Sequence, residues 1–156
     1  MKDRAKEALR RTALFGGLTE EYLDLLASLT AITELGRGEY VFREKERGDK
    51  FFIILEGRIR ISRQIPGMGE EALAVLNPGN YFGEMSLIEE QPRSADAVVH
   101  EKATLLSLAK GDLEDLLFLN KDIAYEVLWA FVRTLSSRLR ETSDKLTFLT
   151  VTSRFG

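Results

Sequence analysis

Between Tyr81 and Ala97 the chain reads Tyr-Phe-Gly-Glu-Met-Ser-Leu-Ile-Glu-Glu-Gln-Pro-Arg-Ser-Ala-Asp-Ala. It sets a glycine at a strand end, an acidic residue beside it, one short amphipathic turn, and an arginine just before a new strand. These groups suit a small phosphorylated ligand. The start of a helical turn offers unpaired backbone N–H groups to an anion, glycine lets a ligand approach the backbone, and arginine supplies a fixed, always charged fork. Glu84 would repel that anion, so it is expected to face another part of the ligand, such as a sugar hydroxyl. Taken alone, Arg93 also fits a surface ion pair with Glu89 or Glu90.

Short strands and turns must bring these residues together. From Ala31 onward, alternating runs cut by glycine read as strands: Ile32–Leu35, Glu39–Phe42, Lys50–Leu55, Arg58–Ile65, Glu71–Leu76, Asp96–His100 and Thr104–Leu108. Many short strands with glycine turns predict a compact barrel or double-sheet jelly roll. Upstream, residues from about Lys6 to Leu29 predict two short helices around Gly16-Gly17, the second capped by Thr19 with Glu20 and Glu21 in its first turn, together forming a lid.

Downstream, Asp112 is expected to cap a short helix, Leu113–Leu119, and Asn120 a long one. No glycine or proline occurs from Lys121 to about Phe148. Within that helix Leu128, Val132, Leu135, Leu139, Thr142, Leu146 and Leu149 recur in steps of four and three, an a/d seam at coiled-coil spacing. Such a helix either packs on its own domain or pairs with a second copy of itself, and a seam this narrow and regular favours the parallel homodimer. Tyr125, Trp129 and Phe131 are expected to pack back on the strands.

The 156 residues suffice for one domain with a core and an appendage. At 30% charged and 44% hydrophobic, without a membrane-length apolar run, the chain reads as globular, with no membrane association. Its charged N-terminus leads into no apolar signal core, and cysteine is absent, so a cytoplasmic location is expected. Without cysteine there is no thiolate-held metal or cluster, and with His100 the only histidine a metal-dependent jelly-roll enzyme lacks ligands, so no metal and no cofactor are expected. Haem sensing is disfavoured on the same grounds. Neither Ser86 nor Ser94 has a base in a catalytic arrangement, so the chain does not read as an enzyme. A formal charge of −3 argues against a dedicated nucleic-acid binder.

The order Phe-Gly-Glu-Met-Ser-Leu followed by Pro-Arg-Ser-Ala resembles the phosphate-binding cassette of cyclic-nucleotide-binding domains, and the run from Val41 to Ile61 resembles their β-roll. The glycines of that run are expected to set the corners of the roll. The resemblance implies a double-stranded β-helix, a jelly-roll-like β-roll that is mainly β, with N-terminal helices and a long C-terminal dimerisation helix. It also implies a cyclic nucleotide as ligand. The phosphate would meet Arg93 and the N–H groups near Met85 and Ser86, Glu84 would accept from the ribose 2′-hydroxyl, Gly83 would approach the sugar, and Ser94 and Ala95 would complete the cradle.

A second resemblance lies in the helix. Arg138-Leu139-Arg140-Glu141-Thr142-Ser143-Asp144-Lys145, followed by Phe148 to Arg154, resembles the dimer helix and exit of bacterial catabolite activator proteins of the Crp/Fnr type. By that likeness Arg138, Thr142 and Ser143 lie by the nucleotide, Thr142 and Ser143 reading adenine and Ser143 coming from the partner subunit. Arg138 and Ser143 fall at positions g and e, where side chains reach across a dimer. Taken from the helix alone, Arg138 is equally a solvated residue.

These readings imply a regulatory module for cyclic AMP, with cyclic GMP as the alternative because Ser94 can meet a guanine amino group. The expected divisions are 1–120, the β-roll with its N-terminal helices; 121–149, the dimerisation helix; and 150–156, a hinge or the start of an absent DNA-binding domain, with Thr152 as a helix cap. No direct DNA binding by these residues is expected. The module is either a stand-alone sensor signalling through an effector protein or the regulatory half of a transcription factor. A structural or interaction domain of the same fold that has lost its ligand is the competing reading, and intact Glu84 and Arg93 speak against it.

Overall fold

The computed structural model describes residues 2–89 and 91–155. Helices α1 (Lys2–Arg10) and α2 (Glu20–Leu29) precede six strands: β1 (Ala31–Leu35), β2 (Tyr40–Phe42), β3 (Lys50–Ile65), β4 (Gly69–Leu76), β5 (Tyr81–Phe82) and β6 (Asp96–Ala109). A 3-10 turn, Glu84–Leu87, joins β5 to β6, and helices α3 (Lys110–Leu119) and α4 (Lys121–Phe155) follow. The strands pair antiparallel in the order β1-β6-β3-β4, with β2 also on β6 and β5 also on β3. This is the β-roll with flanking helices that the sequence implied.

Strands β3 and β6 are the frame. They pair from Lys50 opposite Ala109 to Ser62 opposite Asp96. The expected breaks at 56–57 and 101–103 are not chain reversals: the strands continue through both, shifting register between Ile54 and Ile59. Gly57 makes this passage possible. Its φ is +80°, and a Cβ there would lie 2.1 Å from the Lys102 carbonyl oxygen. A glycine in a strand pattern can thus mark a bulge where one backbone crosses close to another.

The apolar run Phe51-Phe52-Ile53-Ile54 serves two cores at once. Phe51 and Ile53 join Leu106, Leu108, Leu113 and the helices, whereas Ile54 joins Ile59, Phe82, Val99 and Leu105 inside the roll, with Phe52 packed alongside. Successive strand residues point to opposite faces, and both faces here are covered, so no polar alternation appears.

On the helix side, Thr19 Oγ1 accepts from the Tyr22 N–H at 3.3 Å, as its position predicts. Leu14, Phe15 and Leu18 fill the loop between α1 and α2 and are buried. Helix α3 starts at Lys110, preceded by Ala109 with no side-chain cap, so Asp112 sits in its first turn instead of capping it. There its charge still favours the helix dipole. The Asn120 side-chain amide donates back to the Leu116 carbonyl at 3.0 Å and closes α3, while its own carbonyl takes the Ala124 N–H at 3.1 Å and opens α4.

Helix α4 runs on through 150–155, so Thr152 lies inside it and caps nothing; Gly156 lies outside the described residues. Its first turns rest on the domain through Ile123, Val127 and Phe131, which are spaced four apart on one face and buried. Tyr125 and Trp129 do not pack there. At about 100° per residue they lie on another face, and they are 63% and 46% exposed. Leu128, Val132, Leu139, Leu146 and Leu149 are likewise exposed, and Leu135 is half-buried. From Leu139 to Arg154 every residue of the helix is exposed. No described helix is long and apolar enough to cross a membrane.

Candidate functional site

Gly83 ends β5 in the left-handed region, φ +77°, and turns the chain into Glu84–Leu87. A side chain at this position would be strained by that backbone. The Ser86 N–H is taken by the Gly83 carbonyl at 3.0 Å, so the turn presents to an anion only the N–H groups of Glu84 and Met85 at its start. Ser86 therefore contributes differently from its expected amide role. It is buried, and its hydroxyl accepts from Arg93 Nη1 at 2.7 Å.

Arg93 is braced from three sides. Besides Ser86, its Nη2 donates to the Lys50 carbonyl at 3.0 Å, and the guanidinium lies 4.0 Å over the Phe42 ring. Among the described residues no carboxylate forms an ion pair with it, and Glu90 lies outside them. Burial pulls Arg93 below its ordinary pKa, with Asp49 and Glu46 pulling the other way; it stays charged. Its Nε is buried without a partner. A half-buried guanidinium with a donor left over and, among the described residues, no carboxylate hydrogen-bonded to it is suited to an anion.

Phe42, Ile61 and Phe82 form the apolar side of a cavity of about 260 Å³, and Gly83, Glu84, Met85, Ser86, Arg93, Ser94 and Ala95 line it as well. Among the described residues, neither the Ser94 nor the Ala95 N–H donates to another backbone group. The Glu44 N–H donates to Asp96 at 2.7 Å, tying the loop after β2 to the start of β6 beside this wall.

The long helix reaches the same site at one residue. Arg138 Nη1 donates to Glu84 in an ion pair, and its guanidinium lies 5.4 Å from the centre of the Tyr81 ring. Burial disfavours the charged form of Arg138, but its hydrogen bond to Glu84, the charge of that carboxylate and Tyr81 together outweigh burial and hold the guanidinium above its ordinary pKa.

A family model described as a cyclic nucleotide-binding domain matches residues 32–120 of this chain, the stretch that contains every strand from β2 to β6 and the whole cavity wall. The chain belongs to the cyclic nucleotide-binding domain family. It is 30% identical over 146 residues to a CRP-like cAMP-activated global transcriptional regulator of Mycobacterium tuberculosis, covering 94% of this chain and 63% of that protein. It is 32% identical over 117 residues to the cGMP-dependent protein kinase egl-4 of Caenorhabditis elegans, covering 69% of this chain and 15% of the kinase. The N-terminal domain of a transcriptional regulator from Streptomyces coelicolor A3(2) superposes with a TM-score of 0.78 at 34% identity, covering 89% of this chain and 94% of that one. This cyclic nucleotide-binding domain thus spans 63% of the length of its mycobacterial relative.

Seven of the ten expected site residues, Gly83 to Ser86 and Arg93 to Ala95, line the one cavity, and Arg138 joins them through Glu84. Thr142 and Ser143 stand exposed beyond Arg138 and do not line it. The Thr142 hydroxyl donates to the Arg138 carbonyl at 2.9 Å. The domain also uses residues that the motif did not flag. Phe42 carries the arginine, the Lys50 carbonyl orients it, and Gly48 makes room for it: a Cβ on Gly48 would sit 2.6 Å from Ser86 Oγ and 2.9 Å from Arg93 Nε. Gly48 is therefore part of the site and not merely a corner. The only sequence signal for it was a glycine in a charged run, which also fits an ordinary turn.

Proposed function

We propose that this domain binds a cyclic nucleotide in the cavity between the Gly83–Leu87 turn and Arg93, cyclic AMP in preference to cyclic GMP, and passes the occupancy to a second copy through α4. The observation that carries the reading is the braced Arg93 facing a turn whose first N–H groups are open, all in one cavity. In this reading the phosphate takes Arg93, the N–H groups of Glu84 and Met85, and those of Ser94 and Ala95. Glu84 takes a ribose hydroxyl while keeping Arg138 beside it.

Two contacts link the cavity to the helix. Leu87, in the turn itself, is buried in the same cluster as Leu113, Ile123, Val127 and Phe131, so ordering the turn bears on the seat of α4. The Arg138–Glu84 pair bears on the helix two turns further along, seven residues past Phe131 and on the same face. A ligand that prefers one seating of α4 shifts its equilibrium by the difference in affinity. The stripe Leu128, Val132, Leu135, Leu139, Thr142, Leu146 and Leu149, exposed except at half-buried Leu135, supports a parallel homodimer, because the described far half of α4 has no cover of its own. Thr142 and the partner's copy of Ser143 would then come to the base. The name of the mycobacterial relative supports a role in transcription regulation, exerted in the cytoplasm through a DNA-binding domain or an effector protein in this reading.

Isothermal titration with cyclic AMP and cyclic GMP tests the reading. Saturable binding of cyclic AMP, tighter than of cyclic GMP, is expected. Tighter cyclic GMP binding would reverse the base assignment, and no binding of either below millimolar concentration would overturn the function.

A further inference from the structure

Tyr125 and Trp129 are large aromatic groups left largely exposed on α4, off the face that seats on its own domain, with Tyr125 bordering a shallow groove beside Thr19 and Tyr22. Their rings meet edge to face, 6.4 Å apart. Exposed side by side they form an apolar patch, and Leu128 and Val132 extend it without a break along the helix. Extending the heptad register upstream gives the patch a meaning. Tyr125 lies three residues before Leu128, so it occupies an a position at the head of the seam, and Trp129 occupies e.

In a parallel pair the e residue of one helix faces the g residue five positions earlier on the other. The residue five before Trp129 is Ala124, half-buried and small. A bulky indole is thus set opposite a methyl group, a large-to-small match that a second copy of this chain supplies and that α4 alone does not. At the head of the helix, Lys121 Nζ lies 4.7 Å over the exposed Phe118 ring at the end of α3.

We infer that Trp129 of each copy packs over Ala124 and Tyr125 of the other, so that two aromatic clasps hold the domain end of the helix pair. The inference rests on the homodimer reading above, and it goes further by naming the residues that anchor it next to the ligand domain. Tryptophan and tyrosine buried at the centre of such contacts carry much of the binding energy in protein interfaces. Their place here, near the buried Ile123, Val127 and Phe131 seat, puts the strongest part of the interface where α4 is held by the domain.

Trp129 is the only tryptophan, so its fluorescence reports this contact without any label. The full chain is diluted from high micromolar to nanomolar concentration, with sedimentation equilibrium and iodide quenching measured on the same samples. The expected result is that emission moves to the blue and quenching falls in step with the dimer fraction. A dimer whose Trp129 is quenched as readily as in the monomer overturns the clasp and leaves the dimer standing. A monomer at every concentration overturns both. As a second line, Ala124→Glu is expected to weaken dimerisation by about tenfold or more, while Thr147→Glu, equal in charge but at the outward b position, changes it less than about threefold. Equal effects of the two substitutions would overturn the clasp.

Discussion

Replacing Arg93 separates what the residue does for the fold from what it does for a ligand. In the free domain Arg93→Ala removes two hydrogen bonds, to Ser86 Oγ and the Lys50 carbonyl, and the contact over Phe42. Net hydrogen bonds are worth about 1 kcal/mol each and an exposed cation–π contact about 0.5–1 kcal/mol. Against this, the substitution also removes a buried N–H with no partner, a group that costs about 1–3 kcal/mol to leave unpaired. The two sides largely offset, so stability should fall by no more than about 2 kcal/mol, a few degrees in Tm for a domain of this size. Nothing offsets the loss toward a bound phosphate. Charge-assisted bonds of about 1.5–3 kcal/mol translate into a fall in affinity of about 10- to 100-fold. Arg93→Lys keeps the charge but not the fork and should fall between. The assay pairs isothermal titration of cyclic AMP with thermal melts of the ligand-free protein. Affinity within about threefold of wild type, or a melt lowered by far more than a few degrees, would refute the reasoning.

Other expectations follow from the same contacts. Gly48→Ala forces its Cβ against Ser86 Oγ and Arg93 Nε, which are side-chain atoms able to give way, so the domain should fold with a nearly unchanged Tm but bind cyclic AMP about tenfold or more weakly by titration. A double-mutant cycle on Glu84→Gln and Arg138→Gln, read by thermal unfolding, should give a coupling of about 0.5–1 kcal/mol, small because Arg138 is only partly buried, and the coupling should shrink in about 1 M salt. Glu7 is held below the usual carboxylate range by hydrogen bonds from Arg11 and Arg10, and Glu20 by those from Lys6 and Arg10. A depressed carboxylate adds stability above its unfolded pKa and loses it as pH falls through the folded value. The Tm should therefore begin to drop as pH falls below about 4.3, less steeply in Glu7→Gln, as followed by circular dichroism.

Much of this domain was legible because its chemistry is local. Gly83, Glu84, Arg93 and Ser94 sit in one contiguous stretch, and the cavity they line is built largely by that stretch. Thr19 and the long helix α4 were legible for the same reason, since a cap and an uninterrupted helical run need only near neighbours in sequence. What escaped depends on distant pairings. Gly57 marks a bulge only because Lys102 crosses it, Gly48 is needed only because Arg93 folds back over it, and Phe42 supports Arg93 from across the roll. Asp112 failed as a cap because Lys110 already begins the helix as β6 ends. Of the three aromatics expected to pack back on the strands only Phe131 is buried, because the phase it shares with Ile123 and Val127 sends Tyr125 and Trp129 outward.

The pairing of β3 with β6 also governs the order in which the domain can assemble. Lys50 meets Ala109 and Ser62 meets Asp96, so nearly every residue proposed above to meet the phosphate lies in the loop these two strands close. Closing so long a loop is the slow, entropically costly part of folding, and the cavity has no floor or wall until it is done. A nucleotide therefore cannot template the fold. It can only hold shut a domain that has already formed, lengthening the life of the native state while leaving the climb toward it untouched.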